Sequence, residues 1–166
     1  TGIGRKIWEA KKGKGSNFFS NALNSSSPEN PIFWTKDNYL IFPYEADGWQ
    51  HLYAVSANGG EAKLLTSGDG EVEFVTLGRD GKTIIYNTNI GDMDRRHLWQ
   101  VSMTSMPKQL TTGSGIEWGM AQSSDGTIFC LRADAKMPAR PAVLKNGSLE
   151  DIAPNIISKE FPSSLL

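Results

Sequence analysis

A repeat of about 45 residues is the feature that most limits how this 166-residue chain can fold. Short segments recur in the same order 44 to 46 residues further along: 51–53 as 97–99, 64–66 as 109–111, Glu73-Phe74 as Glu117-Trp118, and Asp80-Gly81 as Asp125-Gly126. Chance rarely preserves both the order and the spacing of four landmarks. The chain is therefore expected to be a series of similar units that bury their apolar faces against one another.

Each unit is predicted to contain four short strands. In the middle unit these are 72–77, 82–87, 97–103 and 108–111, and the second is rich in β-branched and aromatic residues. The Asp80-Gly81 dipeptide between the first two is a strong hairpin signal, because both residue types tolerate positive φ. Four strands in a period of about 40–45 residues are typical of a β-propeller blade. We predict an all-β fold of four-stranded antiparallel blades.

The predicted domain is a partial propeller over residues 1–152, followed by a linker over 153–166. About three and a half blades are expected: a half blade at 1–24 and blades at 32–66, 72–112 and 116–152. The half blade is inferred because residues 5–9 resemble 96–100, which form a third strand, and 17–23 then supply the fourth. In the last blade the third strand is placed at 142–145, after two prolines that make it irregular.

An arc of three and a half blades leaves sheet faces uncovered, because propellers usually close with about four to eight blades. Either further blades precede this chain in the natural protein, or two copies assemble as a homodimer that completes the ring. We expect an isolated monomer to be the least stable arrangement.

Charge and composition exclude several classes of partner. The 17 basic and 18 acidic residues nearly cancel, which provides no electrostatic basis for binding nucleic acid. No apolar run approaches the roughly 18 residues of a membrane span, so no membrane partner is expected. The single cysteine, Cys130, cannot form an internal disulfide. Cysteine usage therefore does not distinguish a cytoplasmic protein from a periplasmic or secreted one.

Motifs of catalytic chemistry are missing from the sequence. It contains no Gly-x-Ser-x-Gly nucleophile elbow, no His-Glu-x-x-His zinc motif and no phosphate-binding loop. We therefore expect no catalytic residue, cofactor or metal in this chain. The two histidines, His51 and His97, occupy the same position of successive repeats, which favours a structural role, and Trp34, Phe74 and Trp118 are expected to pack between blades.

The loops between second and third strands carry the candidate recognition residues. In a propeller they emerge at one mouth of the central channel, together with Glu71 and Glu117; they contain Glu45, Asp47, Asp92, Asp94, Arg95 and Arg96. Three interpretations remain open. The charges form solvated turns with local Asp–Arg pairs; Arg95 or Arg96 binds a carboxylate or a partner domain; or Asp92 and Asp94 bind calcium, for which further oxygen ligands are missing.

Two stretches, 42–53 and 91–99, resemble the propeller of the prolyl oligopeptidase and dipeptidyl peptidase IV family of serine peptidases. Residues 59–66 are similar to the blade-ending pattern of that family and of Tol-Pal-type propellers. The resemblance implies a propeller that precedes an α/β-hydrolase domain with a Ser-Asp-His triad. It also implies that the propeller caps the active site and filters peptide substrates by size.

None of the triad motifs is present here, and the tail over 152–166 looks like the linker into that hydrolase domain. The paired glutamates with which dipeptidyl peptidases hold a substrate's amino terminus have no Glu-Glu match in this sequence. The implied function is that of a non-catalytic gating domain, whose partners are the hydrolase domain and peptide substrates. The alternative is a free-standing propeller scaffold for protein–protein contacts of the Tol-Pal type.

Overall fold

The computed structural model describes residues 2–13, 32–155, 158 and 160–162. Twelve β-strands and no helix occur in these ranges. The strands are β1 (Phe33–Trp34), β2 (Tyr39–Glu45), β3 (Gln50–Ser56), β4 (Lys63–Leu64), β5 (Val72–Leu77), β6 (Ile84–Thr88), β7 (His97–Ser102), β8 (Ser105–Gln109), β9 (Ile116–Gln122), β10 (Ile128–Asp134), β11 (Met137–Lys145) and β12 (Ser148–Asp151). None of the described residues forms a helix of the length and apolarity needed to cross a membrane.

The strands form three separate four-stranded sheets, each built from consecutive strands. The first sheet has the order β1-β2-β3-β4, the second β5-β6-β7-β8 and the third β9-β10-β11-β12. All neighbouring strands within a sheet are antiparallel. This is the all-β architecture of four-stranded propeller blades that the repeat predicts.

The sheets stack face to face, and the second is covered on both sides. Its strand β6 shows this directly: Ile84 packs into the core shared with the first sheet, whereas the next residue, Ile85, packs into the core shared with the third. Successive side chains of a strand point to opposite faces, so both faces of a strand between two sheets are buried. All five residues of β6 are accordingly buried.

The predicted Asp-Gly turns connect the first and second strands of two blades. Asp80 Oδ1 accepts hydrogen bonds from the N–H groups of Lys82 and Thr83, at 2.8 and 2.9 Å. Asp125 Oδ1 accepts one from Thr127 at 3.0 Å. The glycines that follow have φ of 72° and 89°, a conformation that a side chain disfavours. These turns therefore set the hairpin that begins the second and the third blade.

Several local predictions differ from the structure. The third strand of the last blade is not the short segment 142–145 but β11, a strand of nine residues that includes Pro138 and Pro141. Pro141 has no N–H, yet its carbonyl accepts a hydrogen bond from Ile152 at 3.0 Å, so the pairing persists around it. Trp34 does not pack between blades: it is 63% exposed, and its Nε1 donates to Asn38 Oδ1.

Phe74 and Trp118 were also predicted to pack between blades, but only one of them lies between the second and third sheets. Phe74 packs against the core between the second and third sheets, as predicted. Trp118 is paired with Leu131, whose neighbour Cys130 faces the second sheet, so Trp118 points to the opposite side. It therefore does not contribute to the interface between these two sheets.

The amino-terminal segment covers the outer face of the first sheet. Residues 2–13 form no strand, but Trp8 contacts the rings of Phe42 and Tyr44, with centroids 4.7 and 5.3 Å apart. The backbone of Ile7 accepts a hydrogen bond from Gly60 at 3.3 Å. The predicted third strand at 5–9 is thus absent, and the predicted fourth strand at 17–23 lies outside the described residues.

Candidate functional site

The candidate recognition loops end against the first strand of the next sheet. Gln50, which follows the β2–β3 loop, donates from Nε2 to the carbonyl of Val72 at 2.7 Å. Arg96, which ends the β6–β7 loop, accepts a hydrogen bond from the N–H of Glu117 at 2.8 Å and bridges in parallel to Ile116. Each loop is therefore anchored at the junction of two blades.

The β2–β3 loop holds its carboxylates close to their own hairpin. Glu45 is the last residue of β2, where it is half-buried opposite Gln50. Asp47 accepts the N–H of Trp49 at 3.3 Å, and its other oxygen lies 3.6 Å from His51 Nε2. Asp47 is half exposed, so one side of this carboxylate faces solvent.

The β6–β7 loop is organised by its own backbone. Asp92 Oδ1 accepts the N–H of Asp94 at 3.0 Å, and its carbonyl accepts the N–H of Arg95 at 3.1 Å. The guanidinium of Arg95 donates to the Asp94 carbonyl at 3.1 Å. This arrangement is an Asx turn. No group of three or more His, Cys, Asp or Glu side chains in the described part of the chain is placed to bind a metal ion.

Arg96 serves the fold through its side chain and its backbone together. Its Nε donates to Glu73 Oε1 at 2.9 Å, and its Nη1 donates to the carbonyl of Met93 at 3.3 Å. The ion pair joins the β6–β7 loop to β5 of the same sheet. The Asp–Arg pairing expected within this loop is thus replaced, for Arg96, by a pair with Glu73.

The two loops remain separate from each other. Within the described ranges, no hydrogen bond or ion pair connects residues 46–49 with residues 89–96. The six candidate residues are therefore not joined in one network of hydrogen bonds and ion pairs. Their role in recognition stays a prediction.

Both histidines have the structural role that their repetition suggests, but they contact different residues. His97 Nδ1 lies 2.9 Å from Glu117 Oε2 of the third sheet, and Thr111 Oγ1 donates to the same oxygen at 2.7 Å. Thr111 Oγ1 in turn accepts the N–H of Leu98 at 2.8 Å. In the preceding repeat, His51 Nδ1 lies 3.4 Å from Thr66 Oγ1, and its Nε2 makes no hydrogen bond within the described residues.

Burial governs the protonation of His51. The residue is only 2% exposed. Loss of hydration disfavours the imidazolium ion and lowers the pKa of His51, although the charges of Asp47 and Glu71 oppose this shift. His51 is therefore held neutral to lower pH than an exposed histidine.

A cluster of charges in the third sheet was missed by the sequence analysis. Arg140 donates from Nε to both oxygens of Asp151, at 3.1 and 3.0 Å, and from Nη2 to Asp134 at 3.0 Å. Arg132 Nε lies 2.7 Å from the same Asp151 in an ion pair. The repeat contained a signal for Arg140, because this residue occupies the position of His51 and His97 in the last blade. The residues that follow these three, Pro141, Leu52 and Leu98, each accept an equivalent backbone hydrogen bond.

The hydrogen bonds of this cluster favour the ionised forms. Partial burial raises the pKa of Asp134, but donation from the Lys136 N–H and from Arg140 outweighs it, so the pKa falls below its ordinary value. Burial likewise opposes the charge of Arg140, yet its bonds to Asp134 and Asp151 raise the pKa of the guanidinium. Both groups therefore stay charged near neutral pH.

Comparison with known protein sequences matches most of the chain to one family. Residues 19–136, well over half of the chain, match the sequence family of the dipeptidyl peptidase IV N-terminal region. A probable dipeptidyl peptidase 4 of Neosartorya fischeri is 27% identical over 104 residues, and one of Aspergillus fumigatus is 28% identical over 107 residues. Each alignment covers 61% of this chain but only 14% of the relative's length.

Solved structures share the fold at low identity. The crystal structure of Porphyromonas gingivalis dipeptidyl peptidase 4 matches 72% of this chain and 17% of its own, with a TM-score of 0.59 and 18% identity. The structure of a putative TolB from Agrobacterium tumefaciens matches 78% of this chain and 50% of its own, with a TM-score of 0.58 and 18% identity. At such identity these structures show the fold alone. The match over residues 19–136 shows that the chain belongs to the family of the dipeptidyl peptidase IV N-terminal region.

Proposed function

We propose that this chain is the non-catalytic propeller part of a serine peptidase, where it packs on an α/β-hydrolase domain and gates the access of peptide substrates. The observation that carries this proposal is the family match over residues 19–136. The relatives named probable dipeptidyl peptidase 4 support a peptidase as the parent protein. The chain itself lacks a nucleophile elbow, so catalysis is assigned to another part of the parent.

The geometry supports a gate at the end of the blades where the candidate loops lie. There the β2–β3 and β6–β7 loops are held at blade junctions by backbone and side-chain hydrogen bonds. Loops fixed on a rigid scaffold are well suited to select ligands by size and shape. Arg95 and the half-exposed Asp47 are the charged side chains proposed to meet a substrate or the hydrolase domain. The TolB likeness concerns the fold and does not favour the scaffold alternative.

The first test is the coding sequence on both sides of this chain. A peptidase parent requires a Gly-x-Ser-x-Gly motif and an α/β-hydrolase region downstream. A complete gene without any hydrolase region would refute the proposed parent.

The second test addresses gating in the full-length parent protein. Turnover is measured with a chromogenic dipeptide and with peptides of increasing length that share its amino terminus. Gating predicts that turnover falls steeply with length, and that loosening the junction between the second and third blades with Thr111→Val raises turnover of the long peptides only. An equal effect of the substitution on peptides of every length would contradict the gate.

A further inference from the structure

Equivalent positions at the two blade junctions differ in cavity volume: the cavity is small at the first junction and large at the second. Between the first and second sheets a cavity of about 40 Å³ is lined by Thr66, Ser67, Gly70, Val72 and Thr88, among others. Between the second and third sheets a cavity of about 310 Å³ is lined by the equivalent residues Thr111, Thr112, Gly115, Glu117 and Arg132. The two cavities lie at equivalent places of the repeat, and the smaller one shows that blades can pack here without a large volume between them.

Three substitutions between the repeats account for the difference. Strand pairing places Val72 opposite Thr88 in the second sheet and Glu117 opposite Arg132 in the third. In the structure Glu117 therefore corresponds to Val72 and not, as the sequence repeat indicated, to Glu73. Two small uncharged residues thus become a carboxylate and a guanidinium. Trp99, which lines the small cavity, corresponds to Ala142, because Leu98 and Pro141 before them accept equivalent backbone bonds. The larger cavity thus gains charge and loses an indole ring.

Most charges around the larger cavity are already paired. Arg140 uses Nε and Nη2 on Asp151 and Asp134, and its Nη1 donates to the carbonyl of Pro138 at 3.2 Å. Arg132 donates from Nη1 to the carbonyl of Leu149 at 3.2 Å, and its Nε pairs with Asp151. These contacts hold both guanidinium groups in place.

Around this cavity, two further side-chain atoms of opposite character have no hydrogen-bond partner among the described residues, besides Arg132 Nε, which is close to Asp151 but makes no hydrogen bond. Arg132 Nη2 donates to none, and Oε1 of Glu117 accepts none, because the bonds from His97 and Thr111 both go to Oε2. Glu117 is only 3% exposed, and a Cβ placed on Gly115, a lining residue, would lie 3.7 Å from its Oε1. Although Glu117 and Arg132 are cross-strand neighbours, they form no ion pair with each other. Glu117 Oε1 therefore keeps some accessible surface, and this carboxylate oxygen can accept a hydrogen bond from an incoming donor.

We propose that the cavity between the second and third blades binds a small zwitterion of the α-amino acid type. Its ammonium group donates to Glu117 Oε1, and its carboxylate accepts from Arg132 Nη2. The hydroxyl groups of Thr112, Ser114 and Ser148 line the same cavity and provide further polar contacts. A volume of about 310 Å³ lies at the lower end of the range for small-molecule sites, which is about 300 Å³ and above. This site is separate from the gating role and does not depend on it.

The test is a titration of the complete 166-residue chain, followed by NMR or calorimetry. L-alanine carries both charged groups, ethylammonium carries the ammonium alone, and propionate carries the carboxylate alone. Binding is expected for L-alanine and at least about tenfold weaker for either single-charge analogue, because each charge-assisted hydrogen bond contributes on that scale. The variants are Glu117→Gln and Arg132→Gln. Lys145→Gln is the control, since Lys145 pairs with Glu150 and neither residue lines the cavity.

The expected result is a loss of about tenfold or more in affinity for L-alanine in Arg132→Gln, with no change in Lys145→Gln. Arg132→Gln keeps the Glu117 network intact, so it remains informative even where Glu117→Gln reduces folding. No saturable binding of L-alanine would overturn the proposal. Equal binding of ethylammonium and L-alanine, or equal affinity in Arg132→Gln and the unmodified chain, would overturn it as well.

Discussion

His97 of the second blade and Glu117 of the third are joined across the blade junction, with Nδ1 and Oε2 2.9 Å apart. Thr111 shares the same carboxylate oxygen and also accepts the N–H of Leu98. The preceding junction keeps the histidine and the threonine, but Val72 holds the place of Glu117. One junction therefore contains a buried ionisable network, whereas the equivalent position of the other junction is occupied by the apolar side chain of Val72.

The first prediction compares the two equivalent threonines. Thr111→Val removes both the bond to Glu117 and the acceptor of Leu98, and it leaves a buried carboxylate with less support. Thr66→Val removes the acceptor of the Leu52 N–H at 3.0 Å and a long, weak contact with His51 Nδ1 at 3.4 Å. We expect a loss in the free energy of unfolding of about 2–3 kcal/mol for Thr111→Val and about 1 kcal/mol for Thr66→Val.

Urea denaturation of both variants, followed by tryptophan fluorescence, measures this difference. Both threonines are buried and both substitutions preserve side-chain shape, so the pair is a matched comparison. Equal losses would show that the bond to Glu117 contributes nothing to the junction.

The repeat in the sequence was sufficient to predict the fold but not the contacts of the charged side chains. Period, alternating apolar residues and the Asp-Gly turns predict the blades, because these features act within one hairpin. The ion pair of Arg96 with Glu73 depends on how a loop folds back on a strand 23 residues earlier, which no local pattern encodes. Arg140 was missed for a related reason: two prolines obscured β11, and with it the match to His97.

The second prediction separates the two adjacent arginines of the β6–β7 loop. Arg96→Gln loses the ion pair with Glu73, in which both side chains are about two thirds buried or more. Arg95→Gln loses one bond to a backbone carbonyl in the same turn. We expect Arg96→Gln to lower the free energy of unfolding by about 1 kcal/mol and Arg95→Gln to leave it nearly unchanged.

Thermal unfolding at low and high salt tests this assignment. The difference between the two variants is expected to shrink at high salt, since screening weakens an ion pair that is partly exposed. A greater loss of stability in Arg95→Gln than in Arg96→Gln would reverse the roles assigned to these residues.

The third prediction concerns pH and His51. Burial places the pKa of His51 below its ordinary value of 6.5, so the unfolded chain binds a proton at this residue more readily than the folded chain. The stabilising effect of the neutral histidine is therefore fully present above about pH 6.5. It is lost progressively as the pH falls towards the folded-state pKa.

The measurement is the free energy of unfolding of the unmodified chain and of His51→Gln at pH 7.5 and 5.5. Glutamine keeps a polar group near Thr66 but does not titrate, so the fall in stability between the two pH values is expected to be smaller in the variant. An identical fall in both proteins would assign the pH dependence to other groups.

The last prediction is that the isolated 166-residue chain self-associates. In β10 of the third sheet, Ile128 and Cys130 face the second sheet, whereas Phe129 and Leu131 alternate with them and are 36% and 38% exposed. A further blade or a second copy would bury such a face, and burying apolar surface is favourable by about 25 cal/mol per Å². Light scattering of the purified chain is expected to show dimers or larger species whose population rises with concentration. Serine at both Phe129 and Leu131 should shift it towards monomer, whereas Lys145→Gln on the neighbouring strand should not. A monomer at all concentrations would show that the three-blade arc is stable without any cover on this face.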